Sequence, residues 1–215
     1  MSDVESFAPV VRKRPKPGER RVQILQALAT MLEQPGADRI TTAALAARLE
    51  VSEAALYRHF ASKAQMFEGL IDFIEQTVFS LVNQIADREA ACGPVNINPD
   101  PVAGNRQAAQ VVAMVMQFAE KNPGMTRVMV GDALVFENER LQQRMNQFFD
   151  KIESSLKQSL RVATDVSDSA TPSVDAQVRA SVLTAFLVGR LQRFARSGFK
   201  RLPSEHLNAS LSLIL

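Results

Sequence analysis

Apolar residues recur at every third or fourth position along most of this 215-residue chain. The clearest case is residues 63–88, where one continuous stripe is formed by Phe67, Leu70, Ile71, Ile74, Val78, Leu81, Val82 and Ile85. No segment alternates apolar and polar residues in the way that a half-buried strand requires. Ala, Leu, Gln, Glu, Lys and Arg, which favour helices, are plentiful. The pattern therefore predicts an all-α fold.

Capping residues and Pro–Gly breaks divide the chain into predicted helices and loops. We expect helices at about 19–34, 41–49, 52–60, 63–88, 105–121, 124–135, 137–163 and 175–197, and a short one from residue 204. Residues 92–104 and 164–175 are predicted to be loops. The predicted domains are a disordered basic arm (1–18), a head (19–63) and a helical body (64–215).

Composition excludes several classes of protein. Cys92 is the only cysteine, so no internal disulfide can form and a reducing compartment is expected. Residues 1–21 lack the apolar core of a signal peptide, and no apolar run reaches the ~20 residues that span a membrane. Gly-rich phosphate loops, paired-histidine zinc motifs and Cys–His pairs are missing. We therefore expect a cytosolic protein that is not an enzyme and has no catalytic residue, metal site or cofactor.

Residues 41–63 read TTAALAARLEVSEAALYRHFASK, which predicts two short helices joined by a tight turn. Alanines allow the two helices to approach closely. A compact core against the first helix is expected from Leu45, Leu49, Val51, Leu56 and Phe60. The second short helix would then be held rigidly enough to enter a DNA major groove.

The pattern Thr-Thr, Leu-Ala, Val-Ser, Leu-Tyr-x-His-Phe and Ser-Lys in this segment resembles the DNA-binding head of the TetR family. The resemblance implies an N-terminal three-helix head with a helix-turn-helix on a C-terminal helical dimerisation body. Glu50 stands where the family usually has glycine in the turn. A left-handed backbone conformation is therefore expected at a residue with a side chain.

Eight residues of this segment are expected to bind DNA. Phosphate contacts are expected from side chains that can donate hydrogen bonds, namely Thr41, Thr42, Tyr57, His59 and Lys63. Base contacts are expected at the leading end of the second helix, from Ser52, Glu53 and Ala54. There, a carboxylate could accept from a cytosine amino group and a methyl group could touch thymine. Two alternatives stay open: Tyr57 as a core residue, and Glu53 acting only on the helix dipole.

The body resembles a narrower branch of the same family, the nucleoid occlusion factors, over residues 117–163 and 185–200. This resemblance implies a nucleoid-associated homodimer that binds double-stranded palindromic DNA. It also implies that the DNA-bound protein binds the division protein FtsZ and disrupts its polymers.

A partner surface is predicted on the fourth helix. Phe73 lies about 120° from the centre of the apolar stripe, with Met66 on the same side, so both are expected off the core face. Lys121 replaces the arginine usual in the resembled branch, and Leu81 and Gln117 depart from its arginine and glycine. The alternative is that Phe73 packs against the head. The expected partner-binding residues are Phe73, Met114, Lys121 and Asn122.

The helix at 175–197 is apolar over more than half of its circumference, which predicts two buried faces. One face would meet its own core and the other a twofold mate, with Ala185 allowing close approach. Two heads could then read half-sites about 34 Å apart. A monomer with a fully buried central helix is the alternative. The expected dimer-interface residues are Phe186, Gly189, Arg190 and Phe194.

Other functions remain open. A ligand-gated repressor of the same fold would have a cavity lined by Met114, Met116, Phe118, Met129 and Phe148. An architectural DNA-binding protein would show weak sequence preference and steep salt dependence. Residues 1–63 carry ten Lys and Arg against seven Asp and Glu, so the arm could follow phosphates or remain solvated. We expect no small-molecule ligand.

Overall fold

The computed structural model describes residues 18–34, 39–92, 101–164 and 170–215. These ranges contain helices and no strand, which confirms the all-α prediction. The helices are α1 (Glu19–Leu32), α2 (Thr42–Arg48), α3 (Glu53–Tyr57), α4 (Lys63–Cys92), α5 (Pro101–Lys121), α6 (Pro123–Met129), α7 (Glu139–Thr164), α8 (Pro172–Arg196) and α9 (Leu207–Leu211). The predicted arm, apart from Gly18, lies outside the described residues.

Both predicted long loops are shorter than expected, because two helices begin at a proline. α5 starts at Pro101 and α8 at Pro172, inside the segments predicted to be loops. Proline fits the first turn of a helix, where its missing N–H has no partner to lose. Of the two predicted loops, residues 93–100 and 165–169 lie outside the described residues.

The helix predicted at 124–135 is interrupted. α6 ends at Met129, Gly131 adopts φ 85°, and a 3-10 turn follows at Asp132–Leu134. Glycine suits this break because a residue with a Cβ is strained at such a positive φ, and a Cβ at Gly131 would also displace the end of the Gln142 side chain, 2.5 Å away. The last helix begins at Leu207 rather than at Ser204.

The head, formed by α1, α2 and α3, shares one apolar core with the body. Leu28, Leu45, Leu56 and Phe60 are buried in it and are continuous with the buried residues of α4. α1 also contacts α6 of the body. The contact is so close that a Cβ at Gly124 would lie 1.9 Å from the Ala29 carbonyl oxygen. The helix-turn-helix is therefore mounted directly on the body.

α7 forms the centre of the body and contacts α4, α5 and α8. Its buried stripe repeats every three or four residues and consists of Leu141, Met145, Phe148, Ile152, Leu156 and Leu160. This spacing places all six side chains on one helical face.

Ion pairs join the exposed side of α7 to α4. Arg144 donates to Glu75 at 2.7 Å and pairs with Asp72 at 2.9 Å, and Arg140 pairs with Glu68. Partial burial lowers the pKa of Arg144, but the hydrogen bonds to the two carboxylates outweigh this effect and raise the pKa overall. The ion pairs therefore fix α4, the helix that follows the DNA-binding motif.

Within the described part of the chain, none of the helices combines the length and apolarity that a membrane crossing requires.

Candidate nucleic-acid interface

Side-chain caps start the helices of the predicted DNA-binding motif. Thr41 Oγ1 accepts a hydrogen bond from the amide of Ala44 at 3.1 Å, and Ser52 Oγ accepts from the amide of Ala55 at 3.3 Å. Ser62 Oγ accepts from the amide of Gln65 at 3.2 Å, at the start of α4. Such caps satisfy amides of the first helical turn, and the Ala55 amide also donates to the Ser52 carbonyl at 2.9 Å. α3 is shorter than expected, since it ends at Tyr57 instead of Phe60.

The turn between α2 and α3 depends on a left-handed residue. Glu50 has φ 54°, which confirms the conformation expected from the missing glycine. The Glu50 amide donates to the Ala47 carbonyl at 3.1 Å, and the Val51 amide donates to the Ala46 carbonyl at 3.0 Å. This pair of bonds is a Schellman motif, which ends α2 and reverses the chain into α3.

The predicted DNA-reading face of α3 is open to solvent. Leu56 and Phe60, which were predicted to lie in the core, are buried. The side chains of this segment that were assigned to DNA are exposed, namely Ser52, Glu53, Ala54, Tyr57 and His59. Tyr57 is 45% exposed, so the alternative that it is a core residue is wrong. α3 thus has one face anchored in the core and one face free for a groove.

Arg21 supports the end of the recognition helix and was not identified from the sequence. Its Nη1 donates to the His59 carbonyl at 3.0 Å, and its guanidinium lies 4.2 Å from the centroid of the Phe60 ring. The sequence places Arg21 beside the basic arm, and its partner lies 38 residues away. No local pattern could therefore have revealed this contact.

Besides the two capping residues, three of the predicted DNA contacts bond to other side chains of the protein. The Thr42 hydroxyl donates to Glu53 Oε2 at 2.5 Å. The Lys63 ammonium bonds to the carboxylate of Glu137, which lies just before α7, and is 5.7 Å from the centroid of the Phe67 ring. The first bond links α2 to α3, and the second links the start of α4 to the body.

Phe73 and Met66 were both predicted to lie off the core face of α4, and the structure places only Phe73 there. Phe73 is 46% exposed, so the alternative that it packs away against the head is wrong. Met66, expected on the same free face, is fully buried. The reason is that α1 covers this end of α4, where Leu25 lies against Gly69.

The other expected partner-binding residues are Met114, in the second half of α5, Lys121, its last residue, and Asn122, which follows it. Lys121 is exposed, while Met114 and Asn122 are partly buried. Asn122 Nδ2 donates to the Phe118 carbonyl at 2.7 Å, so this side chain also closes the turn between α5 and α6. α4 and α5 contact each other along the body.

α8 carries a row of exposed valines. Val174, Val178 and Val182 are spaced four residues apart and are 58%, 56% and 47% exposed. Ala185 continues the row, and a Cβ built at Gly189 would meet nothing within 4 Å. The opposite face of α8 is buried. The helix therefore has the two apolar faces that the sequence predicts.

The predicted interface residues on α8 are divided between its surface and its core. Phe186 and Arg190 are partly buried, with the guanidinium 5.0 Å from the centroid of the ring. Phe194 is 2% exposed, so its assignment to the interface is wrong. Its carbonyl accepts from the amide of Phe199 at 3.0 Å, and the two rings pack edge to face at 5.2 Å. This contact closes the C-terminal cap of α8 and buries Phe194 within the subunit.

The residues expected to line a ligand cavity belong mainly to the core. Met116, Phe118, Met129 and Phe148 are each no more than 6% exposed and pack in the common apolar cluster. Met114 is partly buried beside them. An open groove of about 450 Å³ lies elsewhere, between α4 and α7. Among the described residues, no group of three or more His, Cys, Asp or Glu side chains is arranged to hold a metal ion.

Comparison with known proteins covers both parts of the chain. Residues 24–70 match the family described as bacterial regulatory proteins of the tetR family. Residues 106–215 match the SlmA-like type of the tetracyclin repressor-like C-terminal domain. The nucleoid occlusion factor SlmA of Idiomarina loihiensis is 48% identical over 190 residues, which are 88% of this chain and 90% of the relative. The protein of the same name from Vibrio cholerae is 47% identical over 196 residues, 91% and 93% of the two chains.

Solved structures show the same fold at low sequence identity. The transcriptional regulator FadR of Bacillus subtilis, solved with stearoyl-CoA, aligns with a TM-score of 0.67 at 13% identity and covers 90% of this chain and 96% of its own. The TetR-family regulator PfmR of Thermus thermophilus aligns with a TM-score of 0.63 at 18% identity, covering 90% and 97%.

Proposed function

Because the chain belongs to the TetR family of bacterial regulatory proteins, and within it to the SlmA nucleoid occlusion factors, we propose that it blocks cell division over chromosomal DNA. The observation that carries this proposal is the extent of the similarity to the named relatives. It covers 88% or more of this chain and so includes the body as well as the head. Members of this family are DNA-binding regulators, and the chain is accordingly not an enzyme.

In the proposed complex, α3 enters the major groove of a palindromic chromosomal site. Ser52, Glu53 and Ala54 face base edges, since they are exposed at the leading end of α3. Tyr57 and His59 contact phosphates from the exposed side of the same segment. Lys63 also lies here, and it reaches a phosphate by exchanging its bond to Glu137.

A homodimer presents two such heads. The exposed row of Val174, Val178 and Val182 supports an interface on α8, because an apolar helical face of this length is seldom left in water. Gly189 supports close approach of two such helices. Each subunit then reads one half of the palindrome.

The same DNA-bound dimer is proposed to bind FtsZ and disrupt its polymers. The surface proposed for this contact consists of Phe73, Met114, Lys121 and Asn122. Phe73 supports the assignment because it is a large aromatic side chain left 46% exposed on α4. Exposed aromatic side chains of this kind are enriched at protein–protein interfaces.

The direct test measures FtsZ polymers in the presence of the purified protein, with and without palindromic duplex DNA. We expect sedimented polymer to fall when both protein and palindrome are present, and to change little with scrambled DNA. No loss of polymer under any of these conditions, together with release of the palindrome by a small metabolite, would instead favour a ligand-gated repressor.

A pair of variants separates the partner surface from DNA binding. Phe73→Ala is expected to retain palindrome binding and to lose at least about tenfold in FtsZ affinity, as truncation of an anchoring aromatic does. Phe136→Ala is the matched control, because Phe136 is 68% exposed but lies outside the proposed surface. If both variants changed FtsZ affinity equally, Phe73 would not belong to the FtsZ-binding surface.

A further inference from the structure

The two threonines at the start of the helix-turn-helix have different roles, although the sequence assigns both to phosphate binding. Thr41 Oγ1 accepts from the amide of Ala44 at 3.1 Å and so caps α2. The Thr42 hydroxyl instead donates to Glu53 Oε2 at 2.5 Å. Because Thr42 begins α2 and Glu53 begins α3, this bond joins the first turns of the two helices of the motif.

The bond restricts the Glu53 carboxylate, which lies at the start of α3 and meets base edges in the proposed complex. Glu53 is exposed, and an exposed glutamate normally samples many rotamers. Ordering such a side chain when a ligand binds costs free energy. With one oxygen already bonded to Thr42, the carboxylate is ordered in advance and still has lone pairs that can accept hydrogen bonds.

The chemistry of a carboxylate selects one base. A carboxylate only accepts, and the donors in the major groove are the amino groups of cytosine and adenine. Guanine presents two acceptors, which repel a carboxylate. Adenine places the acceptor N7 beside its amino group. Cytosine presents the amino group alone and is the base that a carboxylate suits best.

We propose that Thr42 is a positioning residue for base readout, holding the Glu53 carboxylate so that it accepts from a cytosine amino group in each half-site. This inference rests on the proposed DNA binding and adds the residue that orients the base-reading carboxylate. It predicts that one G·C pair in each half-site is required, with cytosine on the strand facing the start of α3. Replacing that cytosine by guanine should weaken binding by about tenfold or more.

The test selects binding sites from randomised duplex DNA with the full-length protein, and then measures affinities for each base at the required position. Glu53→Gln should lose the preference for cytosine and gain adenine, which a side-chain amide contacts through two hydrogen bonds. Thr42→Val keeps the side-chain shape without the hydroxyl and should reduce the cytosine preference by about threefold or more. Thr42→Ser restores a hydroxyl and should restore the preference.

Tyr57→Phe is the matched control, since it removes a hydroxyl assigned to a phosphate. It should weaken binding to all sequences equally and leave the ratio between cytosine and guanine unchanged. The ratio is the decisive readout, because a bond that only fastened α2 to α3 would change stability and not base preference.

The outcomes separate this inference from the proposed function. If the natural sequence selects a palindrome and Thr42→Val keeps its base ratios, whether or not Glu53→Gln changes them, the inference is overturned while palindrome binding stands. If no palindrome is selected at all, the proposed function fails and the inference fails with it.

Discussion

At the scale of single residues, Glu50 shows how the head sets the position of its recognition helix. The left-handed conformation at φ 54° allows the Val51 amide to bond back to α2 and turns the chain toward Ser52, the cap of α3. A residue with a Cβ is less stable than glycine in this conformation by about 1 to 2 kcal/mol. The backbone conformation of Glu50 therefore destabilises the turn between the two helices of the motif.

Replacing Glu50 tests this cost. Glu50→Gly is expected to be more stable than Glu50→Ala by about 1 kcal/mol, after allowing for the greater freedom of glycine in the unfolded chain. Both variants lack the carboxylate, so the difference between them isolates the backbone conformation. Urea denaturation followed by circular dichroism measures the free energy of unfolding. Equal stability of the two variants would mean that residue 50 has left the left-handed conformation.

Residue roles could be predicted from the sequence where the partner is close in the chain. The caps at Thr41 and Ser52 each bond three residues ahead, and the left-handed Glu50 was expected because the resembled family usually has glycine in this turn. Arg21 and Lys63 bond to residues 38 and 74 positions away. Such partners depend on how helices meet, and a single sequence does not specify that.

At the scale of elements, the contact between α4 and α7 links the DNA-binding motif to the body. Among the ion pairs of this contact, Arg144 is the most central, because it bonds two carboxylates of α4 and is only 29% exposed. The Glu75 carboxylate is 19% exposed, so without the Arg144 guanidinium it would lose its closest cation in a partly desolvated position. Arg140 is 59% exposed, and solvent screens its pair with Glu68.

The two arginines should therefore differ in their effect on stability. Arg144→Met is expected to lower the free energy of unfolding by about 1 to 2 kcal/mol, because it leaves Glu75 without its main cation. Arg140→Met is expected to change it by less than about 0.5 kcal/mol. Both replacements keep a long apolar side chain, and thermal unfolding at low salt gives the comparison. A larger loss at Arg140 than at Arg144 would contradict this account of the α4–α7 contact.

Helix existence was easier to predict than helix ends. The apolar stripes of α4 and α7 predicted both helices, because one buried face forces a period near 3.6 residues. Pro101 and Pro172 were interpreted as loop residues, although each begins a helix. A proline fits a first helical turn and a loop equally well, so its own preference does not decide between them.

At the scale of the whole molecule, α8 has one apolar face in the core and a second apolar face that is exposed. Leu183, Leu187 and Leu191 are fully buried in the subunit, whereas Val178 and Val182 are about half exposed. The sequence predicted two apolar faces, but it placed Phe194 on the wrong one. Its burial depends on the cap formed with Phe199, which no periodicity of α8 indicates.

A charge on the exposed face of α8 should separate the proposed dimer. In Val182→Glu, a twofold interface would bring two carboxylates together in a desolvated environment, which strongly disfavours association. The fold of each subunit should persist, since Val182 is 47% exposed within it. We expect monomers in sedimentation equilibrium at micromolar concentration. Palindrome affinity should fall by about tenfold or more, because each monomer reads a single half-site.

Val135→Glu provides the control for this charge. Val135 is 70% exposed and follows the 3-10 turn before α7, so the same substitution there should leave the dimer intact and lower palindrome affinity only by the small general effect of an added negative charge. The comparison matters because an added negative charge weakens DNA binding at any position, whereas only a charge within the interface also changes the mass in solution. A dimeric Val182→Glu protein would place the twofold contact elsewhere than on the valine row of α8. A monomeric Val135→Glu protein would place it at the turn before α7.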